Sequence, residues 1–104
     1  MGGPARVLAI DDDRLVRVAF KRVLERGGYK VLEAEDGASG LEEFRAHAPD
    51  AVLLDLRMPG TDGLDVLTEI VKESPETPVL VVSGETTLSA KVKSAKSPAA
   101  PSKD

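Results

Sequence analysis

Aspartates in this chain directly follow short apolar segments, an arrangement that could bring their carboxylates together. The run 11–13 consists of three aspartates after one apolar segment, and Asp55 ends another. Crowded carboxylates repel one another and raise each other's pKa values unless a cation neutralises them. A hard divalent ion that prefers oxygen ligands and keeps several waters, as Mg²⁺ does, suits such a group. The aspartates therefore suggest a magnesium site.

A magnesium-bound acidic site could also carry out phosphoryl chemistry. The cation would neutralise the phosphoryl oxygens, and a carboxylate could act as the nucleophile and form an acyl phosphate. The structural alternative is that each aspartate is only a loop residue or a helix cap, and Asp13 in particular is well placed to cap a following helix.

The rest of the chain alternates between short apolar runs and helical periods, which predicts four strands separated by three helices. In the first helix, six apolar residues form one stripe, whereas Arg17 and other charged residues lie on the solvent side. A thin apolar pattern predicts a further helix over residues 86–97, and residues 98–104 read as a flexible tail. The predicted strands are 6–10, 29–34, 51–55 and 79–82, the predicted helices are 14–26, 38–47 and 64–73, and the stripe consists of Leu15, Val16, Ala19, Phe20, Val23 and Leu24.

This order predicts an α/β fold in which a parallel sheet has helices on both faces. In such sheets ligands bind outside the carboxyl ends of the strands. Those ends carry the run 11–13, Asp55 and, after the fourth strand, Ser83. We expect the first and third strands to be neighbours, so that their acids converge.

Composition excludes several other classes of protein. The chain has 104 residues, enough for one small domain, and 41% of them are hydrophobic. No apolar run approaches the roughly 18 residues that span a bilayer, so we expect no membrane segment. Residues 1–90 carry a net charge of −7 and residues 91–104 a net charge of +3; the acidic body argues against direct DNA binding. The lack of cysteine and of a signal-peptide pattern leads us to expect a cytoplasmic location.

Three segments of the chain resemble the receiver domain of two-component response regulators, over residues 5–90. The most specific is 55–63, in which an aspartate ends an apolar strand and is followed by Met-Pro and a Gly-x-x-Gly loop. The other matching segments are 7–13 and 78–84. The resemblance implies a flavodoxin-like (CheY-like) open parallel sheet with strand order 2-1-3-4, and a signalling protein rather than an enzyme.

The resemblance also implies a role for each matching position. Asp55 would be the phosphoacceptor and would receive a phosphoryl group from a sensor histidine kinase or phosphotransfer protein. Mg²⁺ would be held by Asp11, Asp12, Asp55 and the backbone carbonyl of Arg57. Ser83 would donate its hydroxyl to a phosphoryl oxygen.

The chain departs from the family after about residue 90. Receivers have a fifth strand, which ends in a lysine that pairs with the phosphoryl group, and a fifth helix. The segment 91–96 does not fit that strand, and we expect both elements and the lysine to be missing, with 91–104 forming only a helix end and a tail. The fourth strand would then be an open edge, which tends to recruit another chain. We therefore expect a homodimer or a partner that covers the fourth strand.

Two alternatives compete with a phosphoryl-accepting receiver. One is a degenerate receiver that acts as a phosphorylation-independent interaction or dimerisation module, which the missing lysine would favour. The other is a small Mg²⁺-dependent phosphatase with an aspartate nucleophile. That chemistry usually needs a second acid two residues after the nucleophile, where this chain has Arg57.

Overall fold

A computed structural model of the chain describes residues 3–58, 60, 62–82 and 91–92. Strands and helices alternate from β1 to β4, and a short strand, β5, follows. No helix in these residues is long and apolar enough to cross a membrane. The strands are β1 (Arg6–Ile10), β2 (Lys30–Ala34), β3 (Ala51–Asp55), β4 (Val79–Val82) and β5 (Lys91–Val92), and the helices are α1 (Arg14–Arg26), α2 (Gly37–His47) and α3 (Gly63–Glu73).

The first four strands form a parallel sheet in the order β2-β1-β3-β4, as the sequence predicted. Alternate side chains of β1 and β3 point toward α2 and α3 and are almost fully buried, because the pleat sends successive residues to opposite faces. The core on this face contains Leu8, Ile10, Phe44, Val52, Leu54, Val66, Ile70 and Val79. It is the packed layer on which the carboxyl ends of the strands are fixed.

The prediction that residues 86–97 form a helix is wrong at Lys91 and Val92. These residues form β5, which pairs antiparallel with Val81 and Leu80 of β4. The edge of β4 offers unpaired N–H and C=O groups, and this backbone pairing outweighs a helical pattern of only three apolar positions. The other residues of that predicted helix, and the predicted tail, lie outside the described part of the chain.

β5 runs opposite to the other four strands, so the described residues contain no parallel fifth strand. Part of the β4 edge that we expected to be open is nevertheless paired with this chain's own backbone. The need for a partner at this edge is correspondingly smaller than the sequence suggested.

Gly63, the first residue of α3, allows a close backbone approach beside the segment that follows Asp55. A Cβ atom at this position would lie 2.6 Å from the Cα and 3.0 Å from the carbonyl oxygen of Leu56. Neither is a flexible side-chain end that could move aside, so the absence of a side chain sets how closely α3 packs against this loop.

We expect Gly63→Ala to lower the free energy of unfolding by about 1–3 kcal/mol, the usual cost of overpacking. The clash should outweigh the gain of at most about 1 kcal/mol that alanine brings within a helix. Urea denaturation measures the difference. Gly3→Ala is the control, because no atom lies within 4 Å of a Cβ built there; equal stability of the two variants would contradict the packing argument.

Candidate metal centre

Two neighbouring strands carry the buried carboxylates of the site. β1 and β3 pair in parallel with Ile10 beside Leu54, so the next residues, Asp11 and Asp55, lie side by side at the carboxyl edge of the sheet. Asp11 is 5% and Asp55 7% exposed, whereas Asp12 is exposed. The site therefore has two acids in its floor and a third at its rim.

One carboxylate oxygen each of Asp11, Asp12 and Asp55 lies within 4.8 Å of the other two. Three anionic oxygens at this separation are a donor set that fits a hard divalent cation. The structure thus brings together the three aspartates that the sequence singled out, and the cluster could hold a metal ion. Their individual roles as ligands stay predictions.

The two buried carboxylates are oriented by the same local hydrogen bond. Oδ1 of Asp11 accepts the backbone N–H of Asp13, and Oδ1 of Asp55 accepts the backbone N–H of Arg57, each at 2.9 Å. This bond from an aspartate to the residue two positions later is characteristic of an Asx-turn. It fixes one oxygen of each carboxylate and leaves the other oxygen available to a cation or a substrate.

The remaining predicted site residues have different surroundings. Arg57 is exposed in the loop after β3, and its carbonyl as a metal ligand stays a prediction. Asp13 caps α1, with Oδ1 accepting the N–H of Leu15 at 2.9 Å, so the capping alternative is confirmed for this residue. Ser83 lies outside the described residues.

Arg17 supports the site, so the prediction that it lies on the solvent side of α1 is wrong. Its side chain is largely buried, with Nη1 donating to the carbonyl oxygen of Asp11 at 2.7 Å and Nε to Glu33 at 3.0 Å. The guanidinium thus links the end of β1 to β2 on the face of the sheet that α1 covers. Arg17 lies one turn after the Asp13 cap, on the helix edge nearest β2, and this position was the signal that could have identified its role. Hydrophobic periodicity alone predicts that every arginine of an amphipathic helix lies on the solvent side.

Burial disfavours the ionised form of the Asp11 carboxyl. The pKa of the Asp11 carboxyl is raised from an ordinary value of 3.8 to about 6, and burial is the largest cause. The hydrogen bond from the Asp13 N–H opposes this shift, whereas the charge of Asp55, a hydrogen bond with the Asp55 carboxyl and the charge of Asp12 contribute to it. A cation among the three carboxylates would remove this penalty by neutralising their charge.

Comparison with known proteins links this geometry to one family. The chain matches the response regulator receiver domain over residues 7–100. Response regulator MprA of Mycobacterium sp. (strain KMS) is 39% identical over 89 residues, which are 86% of this chain and 39% of that protein. The chain thus spans about two fifths of the length of the curated relatives that it matches.

Solved structures show the same fold at comparable identity. A response regulator receiver domain protein from Clostridium thermocellum has a TM-score of 0.73 at 35% identity, covering 78% of this chain and 66% of that chain. The response regulator TrrA from Thermotoga maritima, in complex with Mg²⁺-BeF, has a TM-score of 0.74 at 33% identity, covering 79% of this chain and 71% of that chain.

The raised pKa of Asp11 predicts how stability changes with pH when no metal is added. Between 3.8 and about 6 the folded state binds more protons at Asp11 than the unfolded state does, so this residue makes the wild type less stable as the pH rises through that window. Asp11→Asn removes the titration but keeps an oxygen that can accept the Asp13 N–H. In a chelator we expect the variant to be more stable than the wild type above about pH 6, by roughly 1–3 kcal/mol.

Urea denaturation across this pH range measures the difference, which should disappear below about pH 4. Glu42→Gln is the matched carboxyl-to-amide control, since Glu42 is exposed on α2 and should show no comparable trend. A stability difference between Asp11→Asn and the wild type that does not change with pH would refute the assignment.

Proposed function

The chain belongs to the response regulator receiver domain family, and on this basis we propose that it accepts a phosphoryl group on Asp55 in a Mg²⁺-dependent reaction in the cytoplasm. The donor is the phosphohistidine of a sensor histidine kinase or of a phosphotransfer protein. The observation that carries the proposal is the cluster of Asp11, Asp12 and Asp55 within 4.8 Å at the carboxyl edge of the sheet.

The pattern of the receiver family gives a part to each matching residue of this chain. Asp11, Asp12, Asp55 and the Arg57 carbonyl would hold Mg²⁺, which would neutralise the phosphoryl oxygens. The hydrogen bond from the Arg57 N–H occupies Oδ1 of Asp55 and leaves Oδ2 as the nucleophile. Oδ2 attacks phosphorus, the phosphorus–nitrogen bond of the donor breaks, and the imidazole leaves with the electron pair. The Ser83 hydroxyl donates to a phosphoryl oxygen of the product.

A relative and an energetic argument support this function over an interaction module that works without phosphorylation. TrrA, at 33% identity, was solved in complex with Mg²⁺-BeF, and beryllofluoride is a phosphoryl mimic. In addition, the raised pKa of Asp11 means that this buried acid lowers the stability of the metal-free domain near neutral pH. A module that only bound a partner would gain stability from a neutral residue at this position, whereas the proposed phosphoryl transfer requires the acid.

We expect the wild-type chain to gain one phosphoryl group from a small donor such as acetyl phosphate in the presence of Mg²⁺, because the proposed nucleophile and metal ligands all lie on this chain. Asp55→Asn should gain none, since an amide is not a nucleophile toward phosphorus. Intact-protein mass spectrometry measures the modification.

Asp65→Asn provides the matched control, because Asp65 is an exposed acid in the first turn of α3, and it should be modified as the wild type is. A folded wild type that stays unmodified, or modification that survives in Asp55→Asn, would overturn the proposed function.

A substitution at Asp12 tests metal binding without disturbing the core, because Asp12 is exposed and its loss removes no core packing. At a Mg²⁺ concentration 100 times the dissociation constant, the wild type should be stabilised by about 2.7 kcal/mol. We expect Asp12→Ala to bind Mg²⁺ at least tenfold more weakly and so to keep about 1.4 kcal/mol or less of that gain. Thermal unfolding with and without Mg²⁺ measures both values.

Asp65→Ala should keep the full Mg²⁺-dependent gain, since Asp65 lies outside the cluster. Equal losses in the two variants would mean that Mg²⁺ acts on the overall charge of the domain and has no defined site.

A further inference from the structure

One peptide bond joins two of the three acids of the metal centre. Asp11 is buried beside Asp55, whereas Asp12, the next residue, is exposed at the rim. Because the peptide group is planar, the orientation of the Asp11 carbonyl determines the direction in which the chain continues to Asp12. Whatever holds this carbonyl oxygen therefore also sets where the Asp12 carboxylate lies.

Asp11 is held at three atoms. Its N–H donates to the carbonyl oxygen of Ala34 at 3.1 Å, and its Oδ1 accepts the N–H of Asp13 at 2.9 Å. Its carbonyl oxygen accepts a hydrogen bond from Nη1 of Arg17 at 2.7 Å. The first two bonds involve backbone groups of their partners and need no particular side chain there. The third depends on the arginine, so Arg17 is the partner whose identity matters for this peptide group.

Asp12 has no comparable support of its own. Among the described residues, no hydrogen bond or ion pair involves the Asp12 carboxylate. Its position therefore depends on the backbone on either side, and Arg17 contacts both sides. The backbone N–H of Arg17 donates to the carbonyl oxygen of Asp13 at 3.1 Å, and its side chain donates to that of Asp11. Arg17 thus spans the turn that contains Asp12.

The guanidinium of Arg17 is itself fixed in place. The side chain is only 12% exposed, and Nε donates to Oε1 of Glu33 at 3.0 Å. The guanidinium is planar, so two bonds from different nitrogens fix its orientation as well as its position. Hydrogen bonds from a charged donor are also stronger than neutral ones. Through Glu33 and Arg17, β2 thereby holds the peptide group that precedes Asp12.

The charge of Arg17 and its hydrogen bonds have opposite effects on a metal ion. A guanidinium beside the acids repels a divalent cation, so loss of the charge alone would strengthen Mg²⁺ binding. Loss of the hydrogen bonds would release the peptide between Asp11 and Asp12 and weaken binding, because the ligands would no longer be held in one arrangement. The direction of the change in affinity therefore distinguishes the two effects.

We propose that Arg17 is a positioning residue of the metal centre. By linking the Asp11 carbonyl to Glu33, it keeps the Asp12 carboxylate beside those of Asp11 and Asp55, where the three can share a cation. Arg17 acts through the backbone and is not itself a ligand. Its part in metal binding rests on the proposed function, whereas the ordering of this turn by Arg17 does not require a metal.

Substitution of Arg17 by methionine tests the proposal on the full chain, since methionine keeps a flexible stem that can pack but has no N–H donor and no charge. By isothermal titration calorimetry we expect Arg17→Met to bind Mg²⁺ about 10- to 100-fold more weakly than the wild type, the usual effect of removing a group that orients metal ligands. Arg22→Met is the matched control, because Arg22 is an exposed arginine of the same helix and its loss removes the same charge. It should bind Mg²⁺ as the wild type does.

A second measurement needs no metal. In the metal-free wild type we expect ¹⁵N relaxation order parameters of about 0.85 for the amides of Asp12 and Asp13, as in rigid backbone, and values below about 0.6 in Arg17→Met. The amides of α3 should not differ between the two proteins. A loss of order confined to this turn distinguishes positioning from a general loss of stability, which would affect every element.

Two substitutions of Glu33 test the same link without altering Arg17. Glu33→Gln and Glu33→Ala both remove the negative charge, but only glutamine keeps an oxygen that can accept the hydrogen bond from Nε. We expect Glu33→Ala to bind Mg²⁺ at least about threefold more weakly than Glu33→Gln, a smaller loss than in Arg17→Met because the bond to the Asp11 carbonyl remains. Circular dichroism checks the fold of each variant, and this pair tests the proposal even if Arg17→Met does not fold.

The outcomes separate this proposal from the proposed function. A wild type that binds no Mg²⁺ would overturn both the proposed function and the part of Arg17 in metal binding. Where the wild type binds Mg²⁺, equal or tighter binding by Arg17→Met would overturn the positioning role alone, as would equal affinity of the two Glu33 variants. Unchanged order parameters of Asp12 and Asp13 in Arg17→Met would show that the turn is rigid without the guanidinium, and would also refute the proposal.

Discussion

The parallel pairing of β1 and β3 is the constraint on which the rest of the site depends. The register of Ile10 with Leu54 leaves Asp11 and Asp55 adjacent at the point where both strands end. Their separation is set by the hydrogen-bond spacing of the sheet, about 4.8 Å between strands, and the carboxylates cannot move apart to relieve their repulsion. The core residues Leu8, Val52 and Leu54, all with no exposed surface, hold the two strands in this register and so offset the cost of the crowded acids.

One local hydrogen bond recurs at four aspartates, and its setting decides what each aspartate does. Asp11, Asp13, Asp55 and Asp62 each accept the N–H of the residue two positions later. Asp13 and Asp62 do so at exposed helix starts, where the bond satisfies an N–H that has no partner within the helix. Asp11 and Asp55 do so at the ends of buried strands, where the same bond aims the second oxygen into a shared site. Burial and strand adjacency, rather than the local bond, distinguish the functional pair.

The same distinction explains what the sequence could predict. Residues 7–10, 51–54 and 79–82 are continuous apolar runs, which are typical of strands covered on both faces, and the resemblance supplied the order of the strands; the convergence of Asp11 and Asp55 then followed. The environment of Arg17 did not follow, because it depends on the distance from α1 to the Asp11 carbonyl and to Glu33 across two other elements. Leu15 is 75% and Val23 65% exposed, and the apolar stripe did not predict this for a related reason. An apolar stripe indicates a surface that favours burial, but it does not show whether any part of the chain covers it.

The strand β5 is a second feature that the local sequence pattern did not predict. Leu88, Val92 and Ala95 have helical spacing, but Lys91 and Val92 pair with β4 because backbone groups at a sheet edge gain more from a partner strand than a three-residue apolar pattern gains from a helix. Helix propensity, which depends on neighbouring residues, does not include the competing pairing with β4. That strand lies about ten residues away along the chain, at a position fixed by the rest of the fold.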